Sequence, residues 1–251
     1  MRHGPVTLAR LYGVNTRGIA VAQDWSDLFV SGAGQPSHHL GTRFDDAGRF
    51  LAEFGNTVVA QVVPGSETQT ALVDLRAALQ ALPWGDHFTY TDVPSYHMTV
   101  FEGVVDTRRL ASHWPSGLDP AQPIAAATDA MQARLAGFTA PPAFAMRVAQ
   151  VTPFGLSLTG VTAQDTAHVR AWRDALSVAL GLRTPAHDSY AFHTTLAYAV
   201  HWPPAAAVAP YRAALQDLTT AFVARVPVLH LARPAFCTFA DMNAFPPRLT
   251  L

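Results

Sequence analysis

Hydrophobic and polar positions in the first half of the chain follow two periods, one typical of strands and one of helices. Residues 57–63 are rich in β-branched side chains and predict a strand. Apolar residues then recur at helical spacing, and Ser66 is suited to cap the start of that helix. Residues 87–91 and 97–104 follow as two strands, which we expect to form a hairpin through a turn at residues 92–95.

The second half of the chain repeats a similar cycle. Its predicted elements are a helix over 123–135, strands over 143–151 and 156–161, a helix over 163–180, a strand over 191–200, a helix ending near 224, and short strands over 226–231 and 235–239. The helix over 163–180 has the clearest apolar stripe, and Gly181 is suited to end it. This repetition predicts an α+β fold of two pseudo-symmetric lobes, with antiparallel sheets, flanking helices and an active-site cleft between the lobes.

The start of the chain lacks this organisation. Residues 1–45 show no lasting periodicity and are interrupted by several glycines and a proline in their second half. We therefore predict an irregular N-terminal extension over residues 1–45, followed by one domain over residues 46–251 that contains both lobes.

The composition supports a folded protein with a sizeable core. Of the 251 residues, 49% are hydrophobic and only 14% are charged, so extensive disorder is not expected. The net charge of −1 argues against a protein that binds long nucleic acid, because such binding needs clustered basic residues. The same net charge is compatible with a small phosphorylated ligand or an RNA end that binds in a pocket.

Cysteine content and hydropathy indicate the cellular compartment. Cys237 is the single cysteine, which excludes an internal disulfide and a cysteine-based zinc site. No apolar run has the length of a signal peptide or of a membrane span, which needs about 20 residues. We expect a cytoplasmic protein without membrane association, and the sequence indicates no protein partner.

Two short segments repeat one pattern of chemistry. His97-Met98-Thr99-Val100 and His193-Thr194-Thr195-Leu196 each contain a histidine, a threonine two residues later and an aliphatic residue. In a strand, residues two apart point to the same face, so each segment presents an imidazole beside a hydroxyl. A third His-x-Thr occurs at His87-Phe88-Thr89, but it lacks the preceding Ser-Tyr pair of the other two and is interpreted as structural.

Paired histidines and threonines suit the cleavage of a phosphodiester without a metal ion. A base must activate the attacking oxygen and an acid must protonate the departing one, and the pKa of histidine, about 6.5, suits both tasks. His97 and His193 are therefore the candidate catalytic pair, and the hydroxyls of Thr99 and Thr195 are candidates for binding the phosphate. Further candidates that could line the cleft are Tyr96, Tyr190, Tyr198 and Arg147, although strand aromatics are often core residues and Arg147 could equally lie on a solvated strand face.

Other hydrolase and cofactor patterns are missing from the sequence. The remaining histidines do not form a metal-binding motif, so no metal and no cofactor is predicted. Neither the glycine-rich phosphate loop Gly-x-x-x-x-Gly-Lys-Ser/Thr nor the Gly-x-Ser-x-Gly motif of serine hydrolases occurs.

Four stretches of the chain resemble the 2H phosphoesterase superfamily, which includes 2′-5′ RNA ligase-like proteins and cyclic nucleotide phosphodiesterases. They are Gly41–Phe50, Gly55–Thr57, Pro94–Gly103 and Tyr190–Tyr198. The closer similarity is to a bacterial branch classed as a domain of unknown function. The resemblance implies the same two-lobed architecture, with one His-x-Thr motif in each lobe. It gives no role to Arg43 or Phe44.

The sequence thus supports a metal-independent phosphoesterase that hydrolyses a small phosphodiester. The substrate class that we expect is a 2′,3′-cyclic nucleotide, a 2′-5′-linked nucleotide or a related RNA-end product. Two alternatives stay open at this stage. One is a non-catalytic module that binds a nucleotide or an RNA end in the same cleft, and the other is a structural relic of the fold without a ligand.

Overall fold

A computed structural model describes residues 25–32, 35–37 and 39–251 of the chain. The helices are α1 (Trp25–Ser31), α2 (Glu67–Gln80), α3 (Ile124–Arg134), α4 (Ala163–Leu180) and α5 (Val208–Arg225). The strands are β1 (Gly55–Gln61), β2 (Phe88–Tyr90), β3 (His97–Val105), β4 (Met146–Thr152), β5 (Gly155–Gly160), β6 (His193–Thr195), β7 (Ala197–Ala199), β8 (Ala235–Phe239) and β9 (Pro247–Thr250). Three antiparallel sheets with flanking helices confirm the predicted α+β class. The pseudo-symmetric relation of two lobes stays a prediction.

Helix α1 lies within the segment that was expected to be irregular. Its Trp25 and Phe29 are buried, and both rings contact the ring of Tyr211 on α5. The prediction of irregular structure was therefore wrong for this helix, because one short apolar turn gives too weak a periodic signal. Residues 1–24, 33–34 and 38 of the predicted extension lie outside the described residues.

The largest sheet has the strand order β3-β1-β8-β9. Strand β1 is almost entirely buried between β3 and β8, as its run of β-branched residues predicts. Strand β3, which carries the first His-x-Thr motif, forms one edge. Strand β9 was not predicted, because the prolines at positions 246 and 247 argue against a strand. Proline is tolerated in β9 because this strand forms the other edge of the sheet.

The second motif lies in a different sheet, of order β4-β5-β6. The expected single strand over residues 191–200 is wrong, since it divides at Leu196 into β6, which pairs with β5, and β7, which pairs with β2. The expected hairpin between β2 and β3 is also wrong, because β2 pairs with β7 and β3 pairs with β1. Gly155 permits close contact between β5 and β6: its φ is +135°, and a Cβ there would lie 2.2 Å from the carbonyl oxygen of Thr194.

Local signals define the helix ends well. The hydroxyl of Ser66 accepts a hydrogen bond from the amide of Gln69 and caps α2, as predicted. Helix α4 begins with a capping box of Thr162 and Asp165 and ends at Gly181 in the left-handed conformation. Its bounds agree with the predicted helix over residues 163–180. The predicted closing strand over residues 226–231 is not a strand.

Helix α4 brings the two motif strands together. It packs against β3 of the large sheet and against β5 of the smaller one, while α5 covers β4. As a result, the edge strands β3 and β6 contact each other although they belong to different sheets. Within the described residues, no helix combines the length and the apolar character needed to cross a membrane.

Candidate active site

A cavity of about 680 Å³ opens where β3 and β6 meet. All four predicted motif residues line it: His97, Thr99, His193 and Thr195. Its wall is rich in aromatic side chains, namely those of Trp25, Phe154, Tyr190, Phe192, Tyr198, Trp202, Phe239 and Phe245. The two motifs, 96 residues apart in the sequence, therefore share one concave surface large enough for a small organic ligand.

The imidazole of His97 is held on both sides. Its Nδ1 lies 2.6 Å from the carbonyl oxygen of Ser95, and its Nε2 lies 3.2 Å from Oγ1 of Thr99. Since a carbonyl oxygen only accepts hydrogen bonds, Nδ1 carries the proton. In the neutral ring, Nε2 is then the basic nitrogen and accepts a hydrogen bond from the Thr99 hydroxyl.

His193 repeats this arrangement. Its Nδ1 donates to the carbonyl oxygen of Ala191 at 2.9 Å, again two residues earlier in the chain. The same tautomer follows, with Nε2 as the basic nitrogen of the neutral ring. Equivalent backbone hydrogen bonds thus orient both imidazoles and select the same tautomer in each.

Burial keeps both imidazoles neutral at neutral pH. It lowers the pKa of His97 to about 4, against the opposing effect of the Ser95 hydrogen bond and with a further lowering by the nearby His193. Burial also lowers the pKa of His193, although the hydrogen bond to Ala191 and the charge of Glu102 oppose this effect. An anion bound between the rings would favour protonation of one of them.

The predicted cleft-lining residues divide into two groups. Tyr190 and Tyr198 line the cavity, and the ring centroid of Tyr190 lies 5.9 Å from that of His193. The placement of Tyr96 in the cleft was wrong: it is 2% exposed and packs in the hydrophobic core. Arg147 is exposed on β4, away from the cavity, which is the solvated strand face that the sequence left open.

The third His-x-Thr segment has a structural role, as interpreted from the sequence. The hydroxyl of Thr89 donates to the carbonyl oxygen of Gly48 at 2.6 Å, and neither His87 nor Thr89 lines the cavity. This bond ties β2 to the loop that precedes β1.

Glu102 lines the cavity but was missed from the sequence. Strict alternation from His97 and Thr99 would direct Phe101 to the cavity, yet Phe101 is buried. The register between β1 and β3 explains the change, because Val59 pairs with Thr99 while Val58 pairs with Phe101. This β-bulge contains one extra residue, and the face that lines the cavity therefore shifts to Glu102.

Phe245 is a second residue that sequence reasoning missed. It lies in the loop between β8 and β9, and its ring centroid is 4.2 Å from that of His97. The side-chain amide of Gln61 donates to the carbonyl oxygen of Phe245 at 2.8 Å and fixes this loop beside β1. An apolar ring against His97 contributes to the burial that lowers its pKa. No local pattern around Phe245 could have indicated this contact.

Comparisons with known proteins identify the family of this chain. The 2H-phosphodiest family, described as a domain of unknown function (DUF1868), matches residues 43–157, which include the first motif. A crystal structure of ATU0111, a conserved protein of unknown function from Agrobacterium tumefaciens str. C58, is similar to this chain with 39% identity and a TM-score of 0.88. The similarity covers 92% of this chain and 99% of that one. The chain belongs to the 2H-phosphodiest family. No curated protein matches it.

This 2H-phosphodiest protein also contains one grouping of potential metal ligands, which lies apart from the two motifs. Within the described ranges, Asp174, His187 and Asp188 could together hold a cation. Each of the three residues already has a partner, however: Nε2 of His187 bonds to Asp174, and the guanidinium of Arg183 pairs with both carboxylates. These contacts join α4 to the segment before β6 and fit a structural role.

Proposed function

We propose that this protein is a metal-independent phosphodiesterase in which His97 and His193 act as the acid–base pair. The observation that carries the proposal is the equivalent orientation of the two imidazoles at one cavity, each by a hydrogen bond from Nδ1 to a backbone carbonyl. One neutral imidazole takes a proton from the attacking water as the new P–O bond forms. The other, protonated when the anionic substrate binds, donates a proton to the leaving oxygen as the old P–O bond breaks.

The threonines would bind the phosphoryl group. Thr99 and Thr195 line the cavity on the same faces of β3 and β6 as the two histidines. Their hydroxyls can donate to the non-bridging oxygens, where negative charge increases in the transition state. Rigid strands preorganise these donors, so little reorganisation is needed during the reaction.

The charge around the cavity favours a diester over a monoester. Arg43 pairs with Glu53 through its Nε side alone, and Arg108 lies 3.9 Å from Glu102, so two carboxylates offset part of the positive charge around two neutral histidines. A phosphodiester carries one negative charge, whereas a phosphomonoester carries nearly two at neutral pH. The second charge of a monoester would be opposed by the carboxylate of Glu102, which lines the same cavity. Substrates of the expected class are 2′,3′-cyclic nucleotides, 2′-5′-linked nucleotides and related RNA ends.

Turnover of these compounds in the presence of EDTA tests the proposal. The variants are His97→Ala and His193→Ala, and His87→Asn serves as a matched control because it alters a His-x-Thr segment outside the cavity. We expect each catalytic variant to lose about 10²–10⁴-fold in turnover, the usual contribution of an acid or base, while the control keeps wild-type turnover. Full activity of His97→Ala would refute the mechanism.

The same experiment separates catalysis from binding alone. If the wild type turns over none of the compounds but is thermally stabilised by one of them, the cavity belongs to a binding module. Turnover that disappears in EDTA and returns with added metal would refute the metal-independent mechanism.

A further inference from the structure

Arg43 lies at the cavity, in the loop that precedes β1, and neither motif includes it. An anionic ligand held among aromatic side chains needs a fixed positive charge, and two neutral imidazoles do not supply one. Three described arginines line the cavity: Arg43, Arg108 and Arg212. Arg108 lies near Glu102, and Arg212 lies beside Trp25 at the α1 side of the cavity. Arg43 is the one whose charge acts on His193.

The guanidinium of Arg43 is rigidly placed. Its Nε donates to Oε2 of Glu53 at 3.0 Å, and its Nη1 lies 3.5 Å from the hydroxyl oxygen of Tyr198. Glu53 is only 4% exposed, and its other oxygen accepts a hydrogen bond of 2.6 Å from Thr107. The two contacts of Arg43 use two of its five N–H donors and leave others for a ligand.

The backbone around Arg43 is equally well anchored. The next residue, Phe44, is completely buried and packs against the ring of Tyr198, with 5.8 Å between centroids. The amide of Arg43 donates to the carbonyl oxygen of His39, and its carbonyl oxygen accepts from the amide of Leu51. These contacts fix the backbone of the loop on both sides of the Arg43 side chain.

Tyr198 connects this arginine to the second motif. It follows Thr195 by three residues, and the two side chains interact through a hydrogen bond that acts on the pKa of the phenol. Burial raises the pKa of Tyr198, so the phenol keeps its proton at neutral pH. The Tyr198 side chain therefore contacts both the phosphate-binding candidate Thr195 and the guanidinium of Arg43.

We propose that Arg43, positioned by the buried carboxylate of Glu53 and by Tyr198, forms a cationic subsite that binds a non-bridging oxygen of the phosphodiester. This inference rests on the proposed function. The paired motifs supply neutral hydroxyls and the proton-transfer groups, and Arg43 supplies the permanent charge. Glu53 is a positioning residue that neutralises the Nε side of the guanidinium and leaves its other side for the ligand.

Binding of dimethyl phosphate, the smallest phosphodiester and a monoanion at neutral pH, tests the subsite directly by calorimetry or ³¹P NMR. We expect Arg43→Gln to weaken binding about 10–100-fold, as for the loss of a charged hydrogen bond, and Arg43→Lys to weaken it less. Arg49→Gln is the matched control, because Arg49 lies in the same loop, pairs with Asp45 and is 80% exposed. It should bind as the wild type does.

Glu53→Gln distinguishes a positioning role of Glu53 from a purely structural one, because positioning affects ligand binding more than kcat. It should raise the Kd for dimethyl phosphate, and the KM for a 2′,3′-cyclic nucleotide, severalfold while kcat changes less. Circular dichroism of each variant establishes that it is folded, and if Arg43→Gln is not folded, the comparison uses Arg43→Lys. Wild-type affinity in a folded Arg43→Gln protein would overturn the subsite.

The outcomes for the subsite and for the catalytic proposal are distinguishable. Binding that depends on Arg43 without any turnover would support the subsite and contradict catalysis. Turnover that depends on His97 and His193 but not on Arg43 would support catalysis and contradict the subsite. A wild-type protein that binds no dimethyl phosphate would overturn the subsite.

Discussion

The ring of Phe245 lies against the imidazole of His97, with 4.2 Å between the centroids and an angle of 58° between the planes. These residues are far apart in the sequence, one on β3 and the other in the loop between β8 and β9. The contact places an apolar surface on one side of a candidate catalytic base. We therefore expect the protonation of His97 to depend on this loop, which contains none of the candidate catalytic groups.

Removal of this ring should change the titration of His97. In Phe245→Ala, water reaches the imidazole, and we predict that its pKa rises from about 4 towards the ordinary value of 6.5. The titration of the His97 Cε1 proton by NMR measures this change. Phe54→Ala is the control, because Phe54 is exposed and does not line the cavity. An unchanged pKa in Phe245→Ala would show that Phe245 does not contribute to the burial.

The lowered pKa of His97 predicts a loss of stability in mild acid. Between pH values of about 6.5 and 4, the unfolded chain binds a proton at this position and the folded protein does not, so the free energy of unfolding decreases as the pH falls. Because the cavity admits water, we expect an effect of about 1–3 kcal/mol rather than the full value of the shift. Urea denaturation at several pH values in this window measures it.

His97→Gln should show a shallower pH dependence than the wild type over the same window. Carboxylates with lowered pKa values, such as those of Asp45 and Asp165, also begin to lower the stability below about pH 5, but they are present in both proteins and their contribution cancels in the difference between the two curves. Parallel curves for the two proteins would contradict a lowered pKa at His97.

Proton uptake should accompany binding of a phosphodiester. Both imidazoles are neutral at pH 7, and an anion between them stabilises an imidazolium, so the complex binds up to about one more proton than the free protein. Calorimetry with dimethyl phosphate in buffers of different ionisation enthalpy counts this proton. His193→Ala should reduce the uptake if His193 is the acid, and His97→Ala should reduce it if the roles are reversed. Uptake that neither variant changes would contradict the mechanism.

Gly103 should be intolerant of any side chain. A Cβ there would lie 2.0 Å from Oδ1 and 2.4 Å from the carbonyl oxygen of Asn56. Because Oδ1 of Asn56 accepts a hydrogen bond from the amide of Val104, the strand has no room to adjust locally. We predict that Gly103→Ala lowers the free energy of unfolding by about 1–3 kcal/mol and displaces Glu102.

Gly137→Ala is the matched control for this substitution. A Cβ at Gly137 meets no atom within 4 Å, so its effect should stay within about 0.5 kcal/mol. Equal stabilities of the two alanine variants, measured by urea denaturation, would show that β3 can shift at the bulge.

Features of the fold that depend on local signals could be predicted from the sequence. Helix α4 has its capping box at Thr162, its apolar stripe and the terminal Gly181 within one continuous segment, and its predicted bounds agree with the structure. The same holds for Ser66 at the start of α2. Both His-x-Thr motifs are also local, which explains why the sequence revealed the four residues that meet at the cavity.

Features that depend on distant partners could not be predicted. The run over residues 191–200 looks like one strand, and only its pairing with both β5 and β2 divides it. Glu102 reaches the cavity because β1 pairs with β3 through a bulge, and this register is not encoded near Glu102 itself. Phe245 and Arg43 likewise belong to loops whose positions are set by the packing of remote elements.

The division of that run at Leu196 links two parts of the cavity mechanically. The amide of Leu196 donates to the carbonyl oxygen of Phe154, and its own carbonyl oxygen accepts from the amide of Thr91. The backbone is therefore fixed from both sides between Thr195, a phosphate-binding candidate, and Tyr198, which contacts Arg43. Because the side chains of Thr195 and Tyr198 also interact, we expect a displacement of β6 to reach Tyr198 and its contact with Arg43. We therefore expect the candidate acid–base groups and the proposed cationic subsite to adjust to a ligand as one unit rather than independently.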